Sequence, residues 1–275
     1  MVKLSAIQLT SMPDVDANLA VIEQQLSNLA FSDNHLVVLP ECCLFFGGRD
    51  AEQLALAKAT YQDNTLIKPL AALAKKYAVN LVAGSIPLYQ PAVDKFTNSS
   101  CVFLSSGEMI AQYDKIHLFD VNVDDNEKNY LESRYTQAGK NVVTANVNQL
   151  KVGLTVCYDL RFPELYRQLT TLGADIVTVP SAFTQVTGQA HWESLLRARA
   201  IENQIYIVAA GQQGVHQNGR QTWGHSMIIS PWGEILTCKT TGQGSISVDI
   251  CLSELSKIRS AISVAEHNRF ITSLK

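Results

Sequence analysis

The sequence predicts an α/β fold in which some neighbouring strands are parallel and others antiparallel. Three observations predict it. Apolar, β-branched runs alternate with stretches of helical periodicity along most of the 275 residues, short turn sequences separate two pairs of runs, and no repeat, low-complexity run or linker divides the chain. We therefore expect residues 1–275 to form one domain, with helices between the parallel strands and tight turns between the antiparallel ones.

In the first half of the chain, a β-α-β unit precedes a second helix and a hairpin. The predicted elements, in order, are a strand over residues 3–10, a helix over 19–29, a strand over 35–41, a helix over 65–79 and strands over 80–89, 100–106 and 109–118. Leucine and isoleucine recur at helical spacing in the first helix, and Gly107 with Glu108 forms the hairpin turn. The acidic stretch from Asp120 to Glu132 is long for a connection, which favours a loop bordering a functional site.

The second half continues the alternation of strands and helices. Its predicted elements are a strand ending at residue 157, a helix from 163, a strand over 174–183, a helix over 190–204, a strand over 205–211, a hairpin over 225–236 and a last strand over 244–250. Pro163 suits a first helical turn because its φ is fixed and it has no N–H to lose. Leu165 and Leu169 give that helix a buried face.

Composition and charge exclude several classes of function. With 47% hydrophobic and 17% charged residues, the chain can bury a large core. A formal net charge of −3 and the lack of a basic cluster argue against a nucleic-acid or anionic-membrane surface. The N-terminal residues MVKLSAIQLT lack the features of a secretory signal, and no apolar run approaches the length of a membrane span. We expect a cytoplasmic protein.

The cysteines and histidines do not form a metal-binding pattern. The six cysteines are scattered, no CxxC pair occurs, and the six histidines supply no clustered ligands at short spacing. We therefore expect no metal site. For each cysteine taken alone, the simplest interpretation is a small buried apolar residue.

One cysteine stands at a corner between two predicted elements. In KVGLTVCYDLRFPELYRQL (151–169), Cys157 ends an apolar-alternating strand, and a helix begins shortly afterwards at Pro163. Ligands of open α/β sheets bind at the carboxyl ends of strands, and a helix N-terminus with nearby cations favours a thiolate. Cys157 is therefore a candidate nucleophile, with a core packing role as the alternative.

A nucleophilic thiol needs a base and a group that stabilises an oxyanion. Glu41 directly follows the buried run HLVVLP, and Lys115 follows MIAQYD and precedes the apolar IHL. Each of them alone could be a charge at the rim of the fold or half of a structural ion pair. Because Glu41, Lys115 and Cys157 all lie at the ends of apolar strands, we interpret them as members of one site.

These segments resemble a known family. LPE ending at Glu41, YDKIHLF containing Lys115 and GLTVCYDLRFPE containing Cys157 are similar to the three signature segments of the nitrilase, or carbon-nitrogen hydrolase, superfamily. The resemblance covers nearly the whole chain. It implies an α/β fold built as a four-layer α-β-β-α sandwich with mixed sheets and a Glu-Lys-Cys site, usually in a dimer or larger oligomer. It also implies no metal and no organic cofactor.

The chemistry agrees with this assignment. The resemblance implies that Cys157 attacks an amide carbonyl, while Glu41 takes the thiol proton, passes it to the departing nitrogen and later activates water. Lys115 and the backbone N–H of Tyr158 stabilise the oxyanion, and the charge of Lys115 favours the thiolate. Glu132 is similar to a second glutamate of the superfamily that positions the lysine, although it could be a solvated carboxylate on an acidic loop. Burial raises the pKa of a carboxylate such as Glu41 and a neighbouring lysine lowers it, and the sequence leaves that balance open.

The residues around the candidate nucleophile indicate a branch of the superfamily. Cys157-Tyr158-Asp159 differs from the Cys-Trp-Glu typical of enzymes that act on nitriles. The segments RFPELY, PSAFTQVTGQAHWESLLRARAIENQ and GHSMIISPWGE most resemble the branch containing deaminated glutathione amidase and omega-amidase, which act on amides of 2-oxoglutarate. The small-molecule substrate we expect is deaminated glutathione, cleaved to 2-oxoglutarate and cysteinylglycine. The alternative is an omega-amidase that releases ammonia from 2-oxoglutaramate.

Such a substrate needs cationic or hydroxyl donors for its carboxylate. By motif position the candidate substrate ligands are Arg161, Thr184, Thr187 and His191, and the candidate walls are Tyr158 and Phe183. Structural roles compete with these assignments. Arg161 could pair with a structural carboxylate, and His191 could cap its own helix.

Other classes of function remain as alternatives. These are another amidase or carbamoyl hydrolase, a papain-like Cys-His hydrolase, for which no histidine stands out, and a non-catalytic binding protein, which would be expected to have lost Glu41, Lys115 or Cys157. We also expect a homodimer built partly from the helices after Pro163 and Gln189. The second of these helices places Trp192, Leu195, Leu196 and Ile201 over more than one narrow face.

Overall fold

The structure is a computed structural model that describes residues 1–123 and 129–274. The first strands are β1 (Val2–Gln8), β2 (His35–Val38), β3 (Asn80–Val82), β4 (Ile86–Gln90), β5 (Lys95–Phe103), β6 (Met109–Asp114), β7 (Asp120–Asn122) and β8 (Asn129–Leu131). The later strands are β9 (Thr144–Val147), β10 (Leu150–Leu154), β11 (Ile176–Thr178), β12 (Tyr206–Ala209), β13 (Gln213–Val215), β14 (Gln221–Trp223), β15 (Ser226–Ile229), β16 (Ile235–Lys239) and β17 (Gly244–Ile250). The helices are α1 (Val15–Ser27), α2 (Asp50–Thr60), α3 (Ile67–Lys76), α4 (Pro163–Thr171), α5 (Gln185–Asn203), α6 (Leu252–Ala261) and α7 (Val264–His267).

Over the described residues, the strands form two large mixed sheets. The first has the order β17-β1-β2-β3-β5-β4, with β6 on the other edge of β5. In it β1, β2 and β3 are parallel, and the remaining pairs are antiparallel. The second has the order β16-β15-β12-β11-β10-β9, with β10, β11 and β12 parallel. The predicted mixture of parallel and antiparallel pairs is confirmed.

Alternating side chains place the two sheets face to face with helices outside them. Leu4 and Ala6 of β1 belong to the core shared with the second sheet, whereas Ile7 belongs to the core under α1 and α3. On the other side, α4 packs on β10 and α5 packs on β12 and β15. This arrangement confirms the four-layer α-β-β-α sandwich expected from the resemblance.

Several elements differ from the sequence prediction. The helix α2 was missed because it is weakly amphipathic and the residue it buries is Ala57. The short strands β9, β13 and β14 were also missed, as was α6, and the acidic stretch contains the ribbon β7–β8. Residues 124–128 of that stretch lie outside the described residues. Short elements of this kind carry too few alternating residues to be recognised from periodicity.

The single strand predicted over residues 80–89 is wrong, because it is divided at Gly84. This glycine has a φ of +44°, and a Cβ atom there would lie 1.8 Å from the carbonyl oxygen of Pro40. The chain therefore passes directly against the turn that follows β2, which a larger residue would displace.

Among the described residues, no helix combines the length and apolarity needed to cross a membrane.

The buried His35 gives the fold a pH dependence. Its Nε2 lies 2.7 Å from Ser5 Oγ, and burial, followed by the charge of Lys3, lowers the pKa of His35 from 6.5 to about 4, with Asp249 opposing the shift. The folded state thus binds a proton less readily than the unfolded state. Stability conferred by neutral His35 is present above pH 6.5 and is lost as the pH falls toward 4.

We predict that His35→Gln reduces the loss of stability between pH 7 and pH 5. The wild-type protein should lose about 1–2 kcal/mol of unfolding free energy through His35 over this interval. Urea unfolding at both pH values measures the difference. His216, whose pKa burial also lowers to about 4, is present in both proteins and so cancels in the comparison. Equal losses in the two proteins would show that His35 does not contribute.

Candidate active site

A cavity that is open to solvent lies at the carboxyl ends of the central strands. Nine of the ten residues predicted to form the site line it: Glu41, Lys115, Glu132, Cys157, Tyr158, Arg161, Phe183, Thr184 and Thr187. They come from the segments after β2, β6, β8, β10 and β11. The cavity lies where ligands of open α/β sheets bind, outside the ends of the parallel strands.

Cys157 begins a tight turn after β10. The residues Cys157–Arg161 form a short 3-10 helix, here named the cysteine turn, and α4 starts after it at Pro163. The φ of Cys157 is +49°, in the left-handed region that costs a non-glycine residue roughly 1–3 kcal/mol. The N–H of Cys157 donates to Pro180 O at 2.8 Å, and Arg199 Nη2 donates to Leu160 O at 2.8 Å. These bonds hold the turn in place.

Glu41 is buried and accepts hydrogen bonds on both carboxylate oxygens. Its Oε1 accepts from Lys115 Nζ at 2.9 Å and from Asn98 Nδ2 at 3.0 Å. Its Oε2 accepts from the backbone N–H of Ala182 at 2.9 Å. The Cys157 thiol lies close enough to this carboxylate to lower the pKa of Glu41. The geometry therefore places the candidate base beside the candidate nucleophile.

Lys115 is almost completely buried between two glutamates. Its Nζ lies 2.9 Å from Glu41 Oε1 and 2.9 Å from Glu132 Oε2. Glu132 Oε2 also accepts from the backbone N–H of Phe119 at 2.6 Å, and Asn98 Nδ2 donates to Glu132 Oε1 at 3.2 Å. Glu132 is therefore not a solvated carboxylate, because it contacts the buried ammonium of Lys115.

The charges of this cluster fix the ionisation of Glu41 and Lys115. Burial raises the pKa of Glu41, but the charge of Lys115, hydrogen bonds from Cys157 and Lys115, and the charge of Arg220 together hold that pKa below its usual 4.5. Burial lowers the pKa of Lys115, but Glu132 and Glu41 raise it well above 10.5. Near neutral pH, Glu41 is a carboxylate and Lys115 an ammonium.

Cys157 is a protonated thiol in the resting site. Burial and the negative charge of Glu41 raise the pKa of Cys157 well above its usual 9.0, although Lys115 and the N–H of Ala182 act in the opposite direction. The charge of Lys115 favours the thiolate, as expected, but burial and the charge of Glu41 outweigh it. A thiol of this kind needs an adjacent base to remove its proton during attack.

The predicted substrate-binding residues divide into two groups. Arg161 lies over the rings of Tyr158 and Phe183, with its guanidinium carbon 5.9 and 5.3 Å from the ring centroids. Thr184 caps α5, and its Oγ1 lies 2.8 Å from Thr187 Oγ1. These five residues face the cavity. His191 is exposed one turn further along α5 and outside the cavity lining, where Nδ1 lies 3.3 Å from Arg161 Nη1.

Other residues of the cavity were not identified from the sequence. Asn98 joins Glu41 and Glu132, and its signal was a polar residue within the buried run of β5. Arg220 lines the cavity from the connection between β13 and β14 and lies over the rings of Phe46 and Tyr130. No local pattern marks Arg220, because the strands around it were not predicted.

The comparisons with known proteins agree with this geometry. The carbon-nitrogen hydrolase family matches residues 3–260. The chain is 42% identical over 272 residues to the deaminated glutathione amidase of Yersinia enterocolitica, covering 98% of this chain and 94% of that protein. The chain belongs to the carbon-nitrogen hydrolase family. The identification made from the three sequence segments is thereby confirmed.

Solved structures of other carbon-nitrogen hydrolases show the same fold. The Caenorhabditis elegans NitFhit protein superposes with a TM-score of 0.90 at 35% identity, over 98% of this chain and 65% of that one. Saccharomyces cerevisiae Nit3, a member of branch 10 of the nitrilase superfamily, superposes with a TM-score of 0.85 at 31% identity, over 98% and 97% of the two chains. This hydrolase acts on carbon-nitrogen bonds other than peptide bonds.

Within this carbon-nitrogen hydrolase, Asp159 connects the cysteine turn to the segment that carries Lys115. Its carboxylate is fully buried. Oδ2 accepts from the hydroxyl of Tyr113 at 2.7 Å and from the N–H of Val156 at 2.8 Å, and Oδ1 accepts from the N–H of His117 at 3.1 Å. Tyr113 and His117 flank Lys115 in sequence. One carboxylate therefore sets the distance between the lysine and the nucleophile.

We predict that Asp159→Asn lowers kcat/KM of the hydrolase for an amide substrate by about 10- to 100-fold, because small displacements of reacting groups cost this much in rate. The native carboxylate accepts hydrogen bonds from two backbone N–H groups and a hydroxyl. An asparagine would present its own N–H donors to some of these donors. Mass spectrometry of iodoacetamide labelling at Cys157, measured together with kcat/KM, reports whether the nucleophile has become less reactive toward an alkylating agent.

Asp175→Asn is the matched control. Asp175 also accepts a backbone hydrogen bond, from the N–H of Lys151 at 3.1 Å, but it lies outside the cavity. Its replacement should leave kcat/KM and the labelling rate at Cys157 within about twofold, as surface changes away from a site usually do. An Asp159→Asn enzyme with wild-type values of both would refute the positioning role.

Proposed function

We propose that this hydrolase is a thiol-dependent amidase that cleaves deaminated glutathione to 2-oxoglutarate and cysteinylglycine. The observation that carries the proposal is the convergence of Glu41, Lys115 and Cys157 in one buried cluster at the base of the cavity. The choice of substrate rests on the relatives, because the Yersinia enterocolitica protein carries that name. A small-molecule amide substrate is consistent with a concave site that combines aromatic walls with a few charged and hydroxyl groups.

The first half-reaction makes a thioester. Cys157 Sγ attacks the amide carbonyl carbon while Glu41, ionised in the resting site, takes the thiol proton. The carbon becomes tetrahedral and its oxygen becomes negatively charged. Glu41 then passes the proton to the substrate nitrogen, the carbon-nitrogen bond breaks, and the amine leaves. The acyl group remains on Cys157.

Lys115 and the backbone N–H of Tyr158 are the proposed oxyanion donors. Nζ of Lys115 faces three oxygens in the resting site, Glu41 Oε1 at 2.9 Å, Glu132 Oε2 at 2.9 Å and Glu132 Oε1 at 3.2 Å. In the proposal, the oxyanion replaces Glu132 Oε1, the most distant of the three oxygens, as a partner of Nζ. Glu132 Oε1 keeps a hydrogen bond when this happens, because Asn98 Nδ2 donates to it. Such donors are typically worth about 100- to 1,000-fold in rate.

The second half-reaction restores the thiol. Glu41 removes a proton from water as the water oxygen attacks the thioester carbonyl, and the carbon-sulfur bond breaks. The departing sulfur recovers a proton from Glu41. Each step uses side chains of this protein, the substrate and water, so one glutamate serves as the base and the acid of both half-reactions.

Arg161, Thr184 and Thr187 are the proposed ligands of the 2-oxoglutaryl half. The guanidinium of Arg161 can bind a carboxylate in a bidentate manner, and the two hydroxyls lie at the start of α5, where the helix N-terminus favours an anion. Tyr158 and Phe183 form the walls. His191 is left with an indirect role in the proposal, through its contact with Arg161.

We predict a higher kcat/KM for deaminated glutathione than for 2-oxoglutaramate, with glutathione itself left uncleaved. The α-ammonium of glutathione would place a positive charge near Arg161, and like charges are rejected in recognition sites. The assay is chromatographic identification of 2-oxoglutarate and cysteinylglycine.

Cys157→Ala and Glu41→Gln should each lower kcat by more than about 1,000-fold in folded protein.

The other outcomes decide between the alternatives. A clear preference for 2-oxoglutaramate would identify an omega-amidase. Cleavage of a carbamoyl compound or an aliphatic amide, with neither keto acid turned over, would overturn the branch assignment. Full activity in Cys157→Ala would contradict the mechanism itself.

We also propose a homodimer built partly from α4 and α5. Trp192 and Leu196, which the sequence analysis counted toward an additional apolar face, lie in the core of the chain itself. Ile201 remains 50% exposed near the end of α5 and lies next to Gly233, the residue after Trp232, which is 63% exposed. Exposed apolar clusters of this kind mark association surfaces.

We predict that light scattering at micromolar concentration gives about twice the chain mass of 30.2 kDa, and that Ile201→Glu shifts the protein toward monomer. Val93→Glu, at a residue exposed to a similar extent in the turn between β4 and β5, is the control and should leave the mass unchanged. A wild-type protein that is monomeric at this concentration would refute the homodimer.

A further inference from the structure

Two arginines among the described residues line the catalytic cavity, and they belong to different walls. Arg161 stands with Phe183 on the wall formed by the cysteine turn and the start of α5. Arg220 stands on the wall formed by Phe46 and Tyr130, with its guanidinium carbon 5.0 and 4.8 Å from the two ring centroids. Besides the ammonium of Lys115, which is paired with Glu41 and Glu132, the cavity therefore contains two arginines on separate walls.

The Arg220 wall leads to a second, outer pocket. This pocket is open to solvent and is lined by residues 46–50 with Gln53, Asn218 and Arg220. Phe46, Asp50, Gln53 and Arg220 line both spaces, so the outer pocket continues the catalytic cavity. Arg220 lies at the junction. An amine product longer than ammonia has room on this side of the site.

Arg220 also lies within electrostatic range of the reacting groups. Its charge lowers the pKa of Glu41, although the hydrogen bonds of the Glu41 carboxylate go to Lys115, Asn98 and Ala182. Arg220 thus acts on Glu41 without replacing those donors. A group bound by Arg220 would lie near the scissile bond but beyond the atoms that react.

We propose that Arg220 binds the terminal carboxylate of the leaving amine, so that the site selects amides with a carboxylate on each side of the scissile bond. The inference rests on the proposed function, because Arg161 is there assigned to the carboxylate of the acyl half. A two-residue amine such as cysteinylglycine spans at most about 7 Å when extended, which suits binding across the junction. A guanidinium held over two aromatic rings is rigid and can bind a carboxylate in a bidentate manner.

The test changes one charge on the substrate and one on the protein. Deaminated glutathione is compared with its C-terminal carboxamide, in which the terminal carboxylate is neutral and nearly unchanged in shape. The wild-type enzyme should prefer the carboxylate by about 10- to 100-fold in kcat/KM, the range of a hydrogen-bonded charge pair. Arg220→Gln should reduce this preference to about twofold or less. Both rates are expected to fall in this variant because Arg220 also acts on Glu41, so the ratio is the quantity that is read.

Two variants separate Arg220 from other positive charges. Arg161→Gln should weaken both substrates to the same extent and keep the ratio, because the acyl halves are identical. Arg49→Gln removes an exposed arginine of the outer pocket that pairs with Glu52 at 2.8 Å, and it should also keep the ratio. A loss of preference in Arg49→Gln equal to that in Arg220→Gln would overturn the specific role of Arg220.

The wild-type enzyme provides a test that does not depend on any variant being folded. Equal kcat/KM for the carboxylate and the carboxamide overturns the Arg220 proposal and leaves the proposed function intact. If the wild-type enzyme cleaves neither compound but cleaves another amide, the proposed function fails and the role of Arg220 fails with it. Arg220→Lys, which keeps the charge without the bidentate geometry, should give an intermediate preference.

Discussion

The ammonium of Lys115, removed from water, is the constraint on which the rest of the site depends. Removing a single ion from water costs several kcal/mol unless oppositely charged and hydrogen-bonding groups compensate it. Glu41 and Glu132 supply the charges, and Asn98 with the backbone N–H groups of Ala182 and Phe119 satisfies the remaining carboxylate oxygens. These groups come from distant parts of the chain, so the two sheets must meet in one arrangement for the cluster to exist.

The same cluster determines how the reaction can begin. Because Glu41 is held as a carboxylate beside a protonated thiol, the proton and the acceptor are both in place before substrate binds. In the proposed mechanism, the positive charge of Lys115 is likewise present before the oxyanion forms, so the polar groups need little reorganisation during the reaction. Asp159 holds the surrounding chain in position, since its carboxylate accepts hydrogen bonds from the cysteine turn and from the segment that carries Lys115.

The sequence predicted the parts of the site that lie in short, distinctive segments. Glu41, Lys115 and Cys157 could be found because each follows an apolar strand, and the resemblance then indicated Glu132. Asn98 and Arg220 could not be found in this way, because their partners are far away in sequence and neither lies in a recognisable motif. The helix α2 and the two-stranded ribbons were not predicted for a related reason, since their side chains are half-exposed and follow no clear period. The break at Gly84 depends on a contact with Pro40 that only the tertiary structure reveals.

The left-handed backbone of Cys157 sets stability and activity against each other at one position. Alanine or serine there would have to adopt the same φ of +49° and would keep the strain, whereas glycine would adopt it freely. The residue that fits this corner best is therefore one that has no side chain with which to attack. In the proposed mechanism the Cys157 side chain attacks the substrate, so the thiol and the strained backbone must occur together at this corner.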